Sequence, residues 1–448
     1  MLPTKKKRLF GTDGIRSVAG TPPLDLVTVA RLGSALVRAL KKSSPKFLLG
    51  RDTRESGIWL ERELVRGARL AGAHCVSVGI LPTPAVALLT HERSFDAGIV
   101  ISASHNPYQD NGIKIFSSNG EKFDTEFEAR VEAIMDDTSW EVEDVVCESI
   151  DTDDWVDVYR SHISRVLPDP RMFASARIAV DCANGATASF APRMFRELGF
   201  DVLELGCEPD GRNINLNCGS TNPESLVDAV LVSKCRLGIA FDGDGDRAIF
   251  VDHLGRIVDG DGILLICARH LAETGRLRGN AVVATVMSNM GLELALREHG
   301  IELFRSQVGD RYVTKALKER NLVLGGEQSG HVIFRDILST GDGLLTALAV
   351  LDAMSHFELE LATLVDELTV VPQVLLNVPV NERRELFSAP DLSAVITDVE
   401  GRLGDSGRLL VRYSGTEPVL RIMIEGTNIE EIRVWADEIA DVARAILG

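Results

Sequence analysis

A chain of 448 residues is longer than one hydrophobic core usually organises, so three or four domains are expected. With 45% hydrophobic and 25% charged residues its composition is ordinary for a globular protein, which excludes long disordered stretches. A formal net charge of -18 argues against nucleic-acid binding, which needs a broad basic surface to release counterions, but leaves room for a small anion held by a local basic cluster.

The basic run Lys5 to Arg8 is followed by no apolar segment and reads as a solvated arm rather than a signal peptide. No apolar run approaches the ~18 residues that span a bilayer, so no membrane association is expected. The seven cysteines are odd in number and contain no C-x-x-C pair, which fits reduced thiols in the cytoplasm. "FGTDGIR" places Arg16 on a Gly-flanked turn. From about 25 to 150 helical and strand patterns alternate as in an α/β layer domain: "LDLVTVARLGSALVRAL" is helical, "KFLLG" a strand, "IWLERELVRGARLAG" a helix and "HCVSVGI" a strand. "GRDTRESG" follows the first of these strands and offers Arg51 and Arg54, which with Arg16 suggest a cationic lining.

The run Gly98 to Ile101 reads as a short buried strand, after which the chain breaks at "SASHNP" and resumes as "GIKIF". Ser104 and His105 are thereby placed on a loop at a strand's carboxyl end, where open α/β sheets bind ligands, with Lys114 ten residues on. The acidic stretch before 150 ends this domain. Domains are expected over 1–150, 151–253, 254–368 and 369–448, the first three α/β and of similar rhythm, which hints at an internal repeat, the last a small α+β unit.

In the second domain "DGDGDR" lies between two short strands. Asp242, Asp244 and Asp246, at alternate positions spaced by glycines, are able to turn three carboxylates toward one hard cation such as Mg²⁺. An EF-hand is excluded, since its sixth position would be Arg247 and its twelfth His253. Arg247 suits an anion bound beside the metal. In the third domain "GGEQSGH" follows the strand "LVLGG" and presents Glu327 and Ser329, of the kind that recognise sugar hydroxyls, with His331 close by. In the fourth, "RYSGTEPVLR" gathers Arg412, Ser414, Gly415, Thr416 and Arg421, the hydroxyls, backbone amides and guanidinium forks that a phosphate dianion requires. The strands "VVPQVLLNVPV", "GRLLVRYSG" and "VLRIMIEG" of this domain precede one last amphipathic helix.

On these residues Ser104 is either a hydrolase nucleophile or a phosphoryl carrier. The G-x-S-x-G elbow, the Walker A motif and G-x-G-x-x-G are all absent from the chain. A serine, a triple-Asp cation site and a phosphate-binding loop together suit phosphoryl transfer, in which catalysis is mainly positioning and charge neutralisation. A phosphatase and a non-catalytic sugar-phosphate sensor are the competing classes.

"SASHNP", "DGDGDR", "GEQSGH" and "RYSGTEP", in this order and spacing, resemble the α-D-phosphohexomutase superfamily over essentially the whole chain. "FGTDGIR", "NINLNCGSTNPE", "VGDRYV" and "GEQSGH" resemble its bacterial phosphoglucosamine mutase branch, whereas the phosphomannomutase/phosphoglucomutase branch more often has Gly and Met where this chain has Ala103 and Gln328. The resemblance implies three α/β domains and a C-terminal α+β domain of TATA-box-like fold around a central cleft. It implies that Ser104 is carried as phosphoserine, that a phosphoserine oxygen joins Asp242, Asp244 and Asp246 on Mg²⁺, and that glucosamine 6-phosphate and glucosamine 1-phosphate are interconverted. The intermediate is a 1,6-bisphosphate, which, or a related hexose bisphosphate, serves as activator, and the product feeds UDP-N-acetylglucosamine for the cell wall. Glu327 and Ser329 would hold sugar hydroxyls, Arg412, Ser414, Gly415, Thr416 and Arg421 the distal phosphate, and Lys114, Arg16 and Arg247 the phosphoryl group in flight. His105 flanks the reactive serine, and Lys114 or His331 is the acid/base candidate. The expected partner is a small phosphosugar, with a homodimer as one admissible assembly.

Overall fold

A computed structural model describes residues 8–143, 145, 149–381, 384–414 and 418–448. Of the basic run Lys5 to Arg8 only Arg8 falls within them. The chain divides into two compact units, one of residues up to 285 together with 303–366, the other of 286–302 and 367–448.

In the first unit, the first sheet comprises β1 (Ile15–Val18), β2 (Lys46–Arg51), β3 (His74–Ile80), β4 (Ala97–Ile101), β5 (Asp110–Ser117) and β6 (Asp151–Thr152), in the order β1-β5-β4-β2-β3-β6. Strands β4, β2, β3 and β6 are mutually parallel, and β5 runs antiparallel to both its neighbours. Helices α1 (Leu26–Leu40), α2 (Ser56–Leu70), α3 (Thr83–Glu92) and α4 (Thr125–Asp136) cover it. The apolar run read as a covered strand is β4, buried at every residue. β6 adds to the sheet edge just after residue 150, at Val76↔Asp151.

The second sheet contains β7 (Arg177–Asp181), β8 (Asp201–Leu205), β9 (Leu237–Phe241), β10 (Ala248–Asp252) and β11 (Ile257–Val258), ordered β11-β10-β9-β7-β8, with helices α5 (Val156–Ile163), α6 (Ala191–Glu197) and α7 (Glu224–Ser233). The third contains β12 (Ala281–Thr285), β13 (Glu302–Ser306), β14 (Leu324–Gly326) and β15 (Val332–Phe334), ordered β13-β12-β14-β15. Helices α8 (Gly260–Glu273), α9 (Met290–Glu298), α10 (Asp310–Glu319), α11 (Gly343–Phe357) and α12 (Leu361–Val365) accompany it in sequence, although α9 belongs to the second unit.

One device recurs in all three sheets. A parallel strand ends in a loop and the chain returns antiparallel beside it: β4 to β5, β9 to β10 and β14 to β15. The three loops are the serine loop, "DGDGDR" and "EQSGH". Each occupies the carboxyl end of a parallel strand, the usual ligand position in α/β sheets.

The second unit contains an antiparallel sheet of β16 (Gln373–Pro379), β17 (Gly407–Tyr413) and β18 (Val419–Gly426), ordered β16-β18-β17, with helices α13 (Pro390–Leu403) and α14 (Ile429–Leu447). Val374, Val378, Leu420, Ile422 and Ile424 meet Ile432, Ala436 and Ile439 of α14 in its core. Helix α13 was not expected; its "AVITDV" stretch is rich in β-branched residues and lacks a helical signal, yet Pro390 sits in its first turn and Leu392, Ile396, Val399 and Leu403 are buried at helical spacing. No helix among the described residues is long and apolar enough to cross a membrane.

Candidate active site

The serine loop leaves β4 with Ala103 and Ser104 buried and His105 half-buried. Ser104 adopts φ 52°, the left-handed region that a residue with a Cβ seldom enters. Its Oγ donates a short hydrogen bond to Asp242 Oδ2 and lies 3.4 Å from His105 Nδ1. The loop at 242–247 comes this close because Gly243 packs on the Ser104 carbonyl: a Cβ there would stand 2.6 Å from that oxygen. Gly245 at φ 72° lets the aspartates turn inward.

Asp242, Asp244 and Asp246 are all buried, and one carboxylate oxygen from each lies within 4.8 Å of the others. Lys114 reaches the triad from β5, its Nζ 2.8 Å from Asp244 Oδ2 and 3.1 Å from Asp246 Oδ2. Thr83, at the start of α3, donates its hydroxyl to Asp244 Oδ2 and its amide to the Asp244 carbonyl. Arg247 donates its amide to Asp242 Oδ1 at 3.2 Å. Asp244 Oδ1 and Asp246 Oδ1 are buried and accept no hydrogen bond, Asp246 Oδ1 having His331 Nδ1 beside it at 3.5 Å. Buried carboxylate oxygens left unpaired are costly, and a hard divalent cation is the ligand that satisfies them, so the donor set fits Mg²⁺.

Electrostatics divide the triad. Burial, reinforced by Asp246 and Asp244, pushes Asp242 well above the usual carboxylate range. Burial also opposes ionisation of Asp246, but Lys114 and His331 outweigh it and hold that carboxyl well below the range. His331 stands with Nδ1 3.5 Å from Asp246 Oδ1; against its burial, that carboxylate lifts the imidazole to about 9. His105 goes the other way, lowered to about 4 by burial and then by Arg247 and Arg16. At neutral pH one histidine is therefore charged and the other neutral.

A chain of opposite charges continues outward from Lys114. Its Nζ is 3.3 Å from Asp13 Oδ2, Asp13 also pairs with Lys122 and Arg16, and Lys122 reaches Asp310 Oδ2 at 2.6 Å. Burial disfavours the Asp13 carboxylate, but Lys114 and Lys122 prevail and hold it far below its ordinary value. Burial likewise opposes the Lys114 charge, and Asp13, Asp244 and Asp246 overcome it, raising Lys114 well above the usual lysine range. Arg16 also donates to Asn106 Oδ1 at 3.2 Å, tying the first loop to the serine loop. In the loop "EQSGH" Glu327 is half-buried and accepts the Gly309 amide on Oε1 at 2.9 Å, while Ser329 is exposed.

The structure thus brings Ser104, His105, Lys114, Arg16, Arg247, His331 and the three aspartates into one neighbourhood. Arg51 and Arg54 depart from the expected cationic lining. Arg54 is fully buried and spends its guanidinium on Asp52 and on four backbone carbonyls, and Arg51 pairs with Glu61, because nearby carboxylates neutralise both. Sequence reading assigned no role to Asp13, Thr83, Lys122 or Asp310; Asp13 and Asp310 do lie inside the quoted "FGTDGIR" and "VGDRYV", which was the available signal.

In the second unit Arg412 and Arg421 face each other in register on β17 and β18, and Ser414 is buried at the end of β17. Arg412 is lowered from its ordinary value by burial and then by Arg421. Gly415 and Thr416 lie outside the described residues.

Four consecutive segments match the phosphoglucomutase/phosphomannomutase family: alpha/beta/alpha domain I over residues 7–141, domain II over 157–255, domain III over 259–371 and the C-terminal domain over 375–442. The chain is 45% identical over 454 residues to a phosphoglucosamine mutase of Solibacter usitatus, and 43% over 449 to one of Pelobacter propionicus, with 99% of each chain covered in both cases. Among solved structures it resembles a phosphoglucomutase/phosphomannomutase family protein from Burkholderia thailandensis at a TM-score of 0.81 and 25% identity, over 98% of this chain and 97% of that one. It shares its fold with Aspergillus fumigatus N-acetylphosphoglucosamine mutase, solved with GlcNAc-6P and magnesium, at a TM-score of 0.68 and 19% identity over 98% and 96% of the chains. A matching four-domain order, together with full-length identity to these relatives, means that the chain belongs to the phosphoglucosamine mutase branch of the phosphoglucomutase/phosphomannomutase family.

Proposed function

We propose that the chain is a mutase that interconverts glucosamine 6-phosphate and glucosamine 1-phosphate through a phosphoserine on Ser104 and a 1,6-bisphosphate intermediate. The observation that carries this reading is the buried Ser104 hydroxyl bonded to Asp242, beside two buried carboxylate oxygens that accept no hydrogen bond. The hydroxyl lies closer to Asp242 of the proposed cation site, at 2.5 Å, than to His105 Nδ1 at 3.4 Å, whereas a hydrolase would bond its serine chiefly to a base.

Phosphoryl transfer breaks the bond from phosphorus to Ser104 Oγ and forms one to a sugar hydroxyl, and the reverse half restores the enzyme with the sugar turned around. Mg²⁺, held by Asp242, Asp244, Asp246 and a phosphoserine oxygen, would neutralise charge on the phosphoryl oxygens. Arg16, Lys114 and Arg247 bring fixed positive charge to the group in flight. Losing one preorganised donor of this kind costs roughly 10²–10³ in rate. His105 borders the reacting hydroxyl. Lys114 or His331 would donate to the departing serine oxygen and, once emptied, receive the sugar proton. Glu327 and Ser329 would hold sugar hydroxyls in either orientation, and Arg412, Ser414, Gly415, Thr416 and Arg421 the phosphate that is not reacting.

A hexose 1,6-bisphosphate as activator, a cytoplasmic location, a homodimer, the domain limits 1–150, 151–253, 254–368 and 369–448, and supply of UDP-N-acetylglucosamine complete the reading. The test is kcat/KM with Mg²⁺ and catalytic bisphosphate for glucosamine 6-phosphate, glucose 6-phosphate and mannose 6-phosphate, in wild type and Ser104→Ala. A preference for the amino sugar that Ser104→Ala abolishes is expected. Preference for a neutral sugar would move the chain to the phosphomannomutase/phosphoglucomutase activity, and full activity of Ser104→Ala would end the phosphoserine mechanism.

A further inference from the structure

Ser104 holds its left-handed backbone because both sides of it are gripped. Its amide N–H donates to Ser102 Oγ at 2.9 Å, and Ser102 Oγ donates to Asp52 Oδ2 at 2.6 Å. Asp52 Oδ2 also accepts Arg54 Nε at 2.9 Å, and Arg54 Nη2 closes the ring by donating to the Ser104 carbonyl at 2.9 Å. The same nitrogen reaches the Asn106 carbonyl at 2.8 Å, while Nη1 takes the carbonyls of Pro107 and Asp110. A second clamp arrives from the adjoining sheet: Asn215 Nδ2 donates to the carbonyls of Ser104 at 2.9 Å and Asn106 at 3.1 Å. Asp52, Arg54 and Ser102 are 0% exposed and Asn215 is 8% exposed.

A wholly buried guanidinium–carboxylate pair is poor value as a source of stability, because desolvation consumes most of the attraction. Here Nη1 and Nη2 of Arg54 and Nδ2 of Asn215 all point at carbonyls of one loop. Asn215 belongs to "NINLNCGSTNPE", a motif to which the reaction as described assigns nothing, and it too has a positive φ, 58°.

We propose that Arg54 and Asn215 are positioning residues that lock the Ser104 backbone in the left-handed state, so that Oγ keeps one place while it alternately carries and releases the phosphoryl group. The inference rests on the assignment of Ser104 as phosphoryl carrier. Both half-reactions use the same oxygen, as leaving group in one and nucleophile in the other, so a loop that relaxed between them would lose alignment twice per turnover.

Asn215→Asp is the primary test: it keeps the side chain's shape and its tolerance of positive φ, but turns a donor into an acceptor facing two carbonyl oxygens. Arg54→Lys is the second variant, keeping the charge while leaving carbonyls without donors. Single-turnover transfer from phosphorylated enzyme to glucosamine 6-phosphate, KM, the thermal midpoint and amide hydrogen exchange over residues 102–106 are measured for each. For Asn215→Asp the expected result is a transfer rate lowered about 10²-fold with KM unchanged and faster exchange in the loop. A wild-type transfer rate, or a lower rate with the loop exchanging as in wild type, overturns the proposal. If the wild-type enzyme transfers no phosphoryl group to a hexose phosphate, the mutase reading fails, and the exchange comparison still decides whether Asn215 holds the loop.

Discussion

Arg412 and Arg421 stand opposite each other on β17 and β18, and no carboxylate among the described residues pairs with Arg412. Its Nε is buried without a hydrogen-bond partner. Like charges directly across an antiparallel pair are destabilising, so the Arg412 charge is expected to cost the second unit stability and an anion bound there to offset it. Arg412→Gln is expected to raise the thermal midpoint in the absence of ligand and to raise KM for the phosphosugar about tenfold or more, since a charge-assisted hydrogen bond is lost. An unchanged KM would remove Arg412 from the phosphate anchor. The arginines were visible in the sequence as a cluster, but their mutual register was not, because it depends on which strand pairs with which. Arg54 is the opposite case. It was read as part of a cationic surface, since its carbonyl partners lie about fifty residues away and carbonyls leave no mark in a sequence.

At the scale of elements, Asp342 connects two helices. It caps α11 by accepting the Leu345 amide at 3.0 Å, and both its oxygens accept the hydroxyl of Tyr159 on α5 at 2.9 Å. Burial lifts its pKa from 3.8 to about 7. The folded state therefore binds a proton more tightly than the unfolded chain. The stability this contributes is fully present below the unfolded value and is lost as pH rises through about 7. Asp342→Asn keeps both the cap and an acceptor for Tyr159 without titrating. Its unfolding midpoint is expected to fall less than that of wild type between pH 5 and 8. Parallel profiles for the two proteins would show that Asp342 is not the titrating group. Elements of this kind differ in how readable they were. The returns after β4 and β9 were legible from short apolar runs on both sides of "SASHNP" and "DGDGDR", whereas β15 went unread and α13 was missed because its buried face emerges only when α14 and β17 are there to cover it.

For the whole molecule, the proposed cation site at the acidic triad predicts that stability depends on the ion. Mg²⁺ that binds only the folded state stabilises by mass action, by about 2.7 kcal/mol when its free concentration is a hundred times Kd. Adding EDTA is expected to lower the thermal midpoint of wild type, and Asp244→Asn or Asp246→Asn to abolish that difference. A midpoint indifferent to Mg²⁺ in wild type would mean that the triad is satisfied by Lys114 and Thr83 alone. The device repeated in three sheets also belongs to this scale: one connection is used three times, to present Ser104, the three aspartates and the "EQSGH" loop.

The sequence by itself determined the class of chemistry. Spacing within a loop of six or seven residues is enough to show that three aspartates are able to converge, or that a serine follows an apolar strand, because backbone geometry over that length leaves few alternatives. Tertiary structure alone decided which of those groups meet and in what state. Lys114 is charged and His105 neutral because of neighbours brought together from different sheets, and Ser104 is held in a strained backbone by side chains 50 and 111 residues away. Contact energies and desolvation depend on distance in space, and a linear sequence does not record that distance.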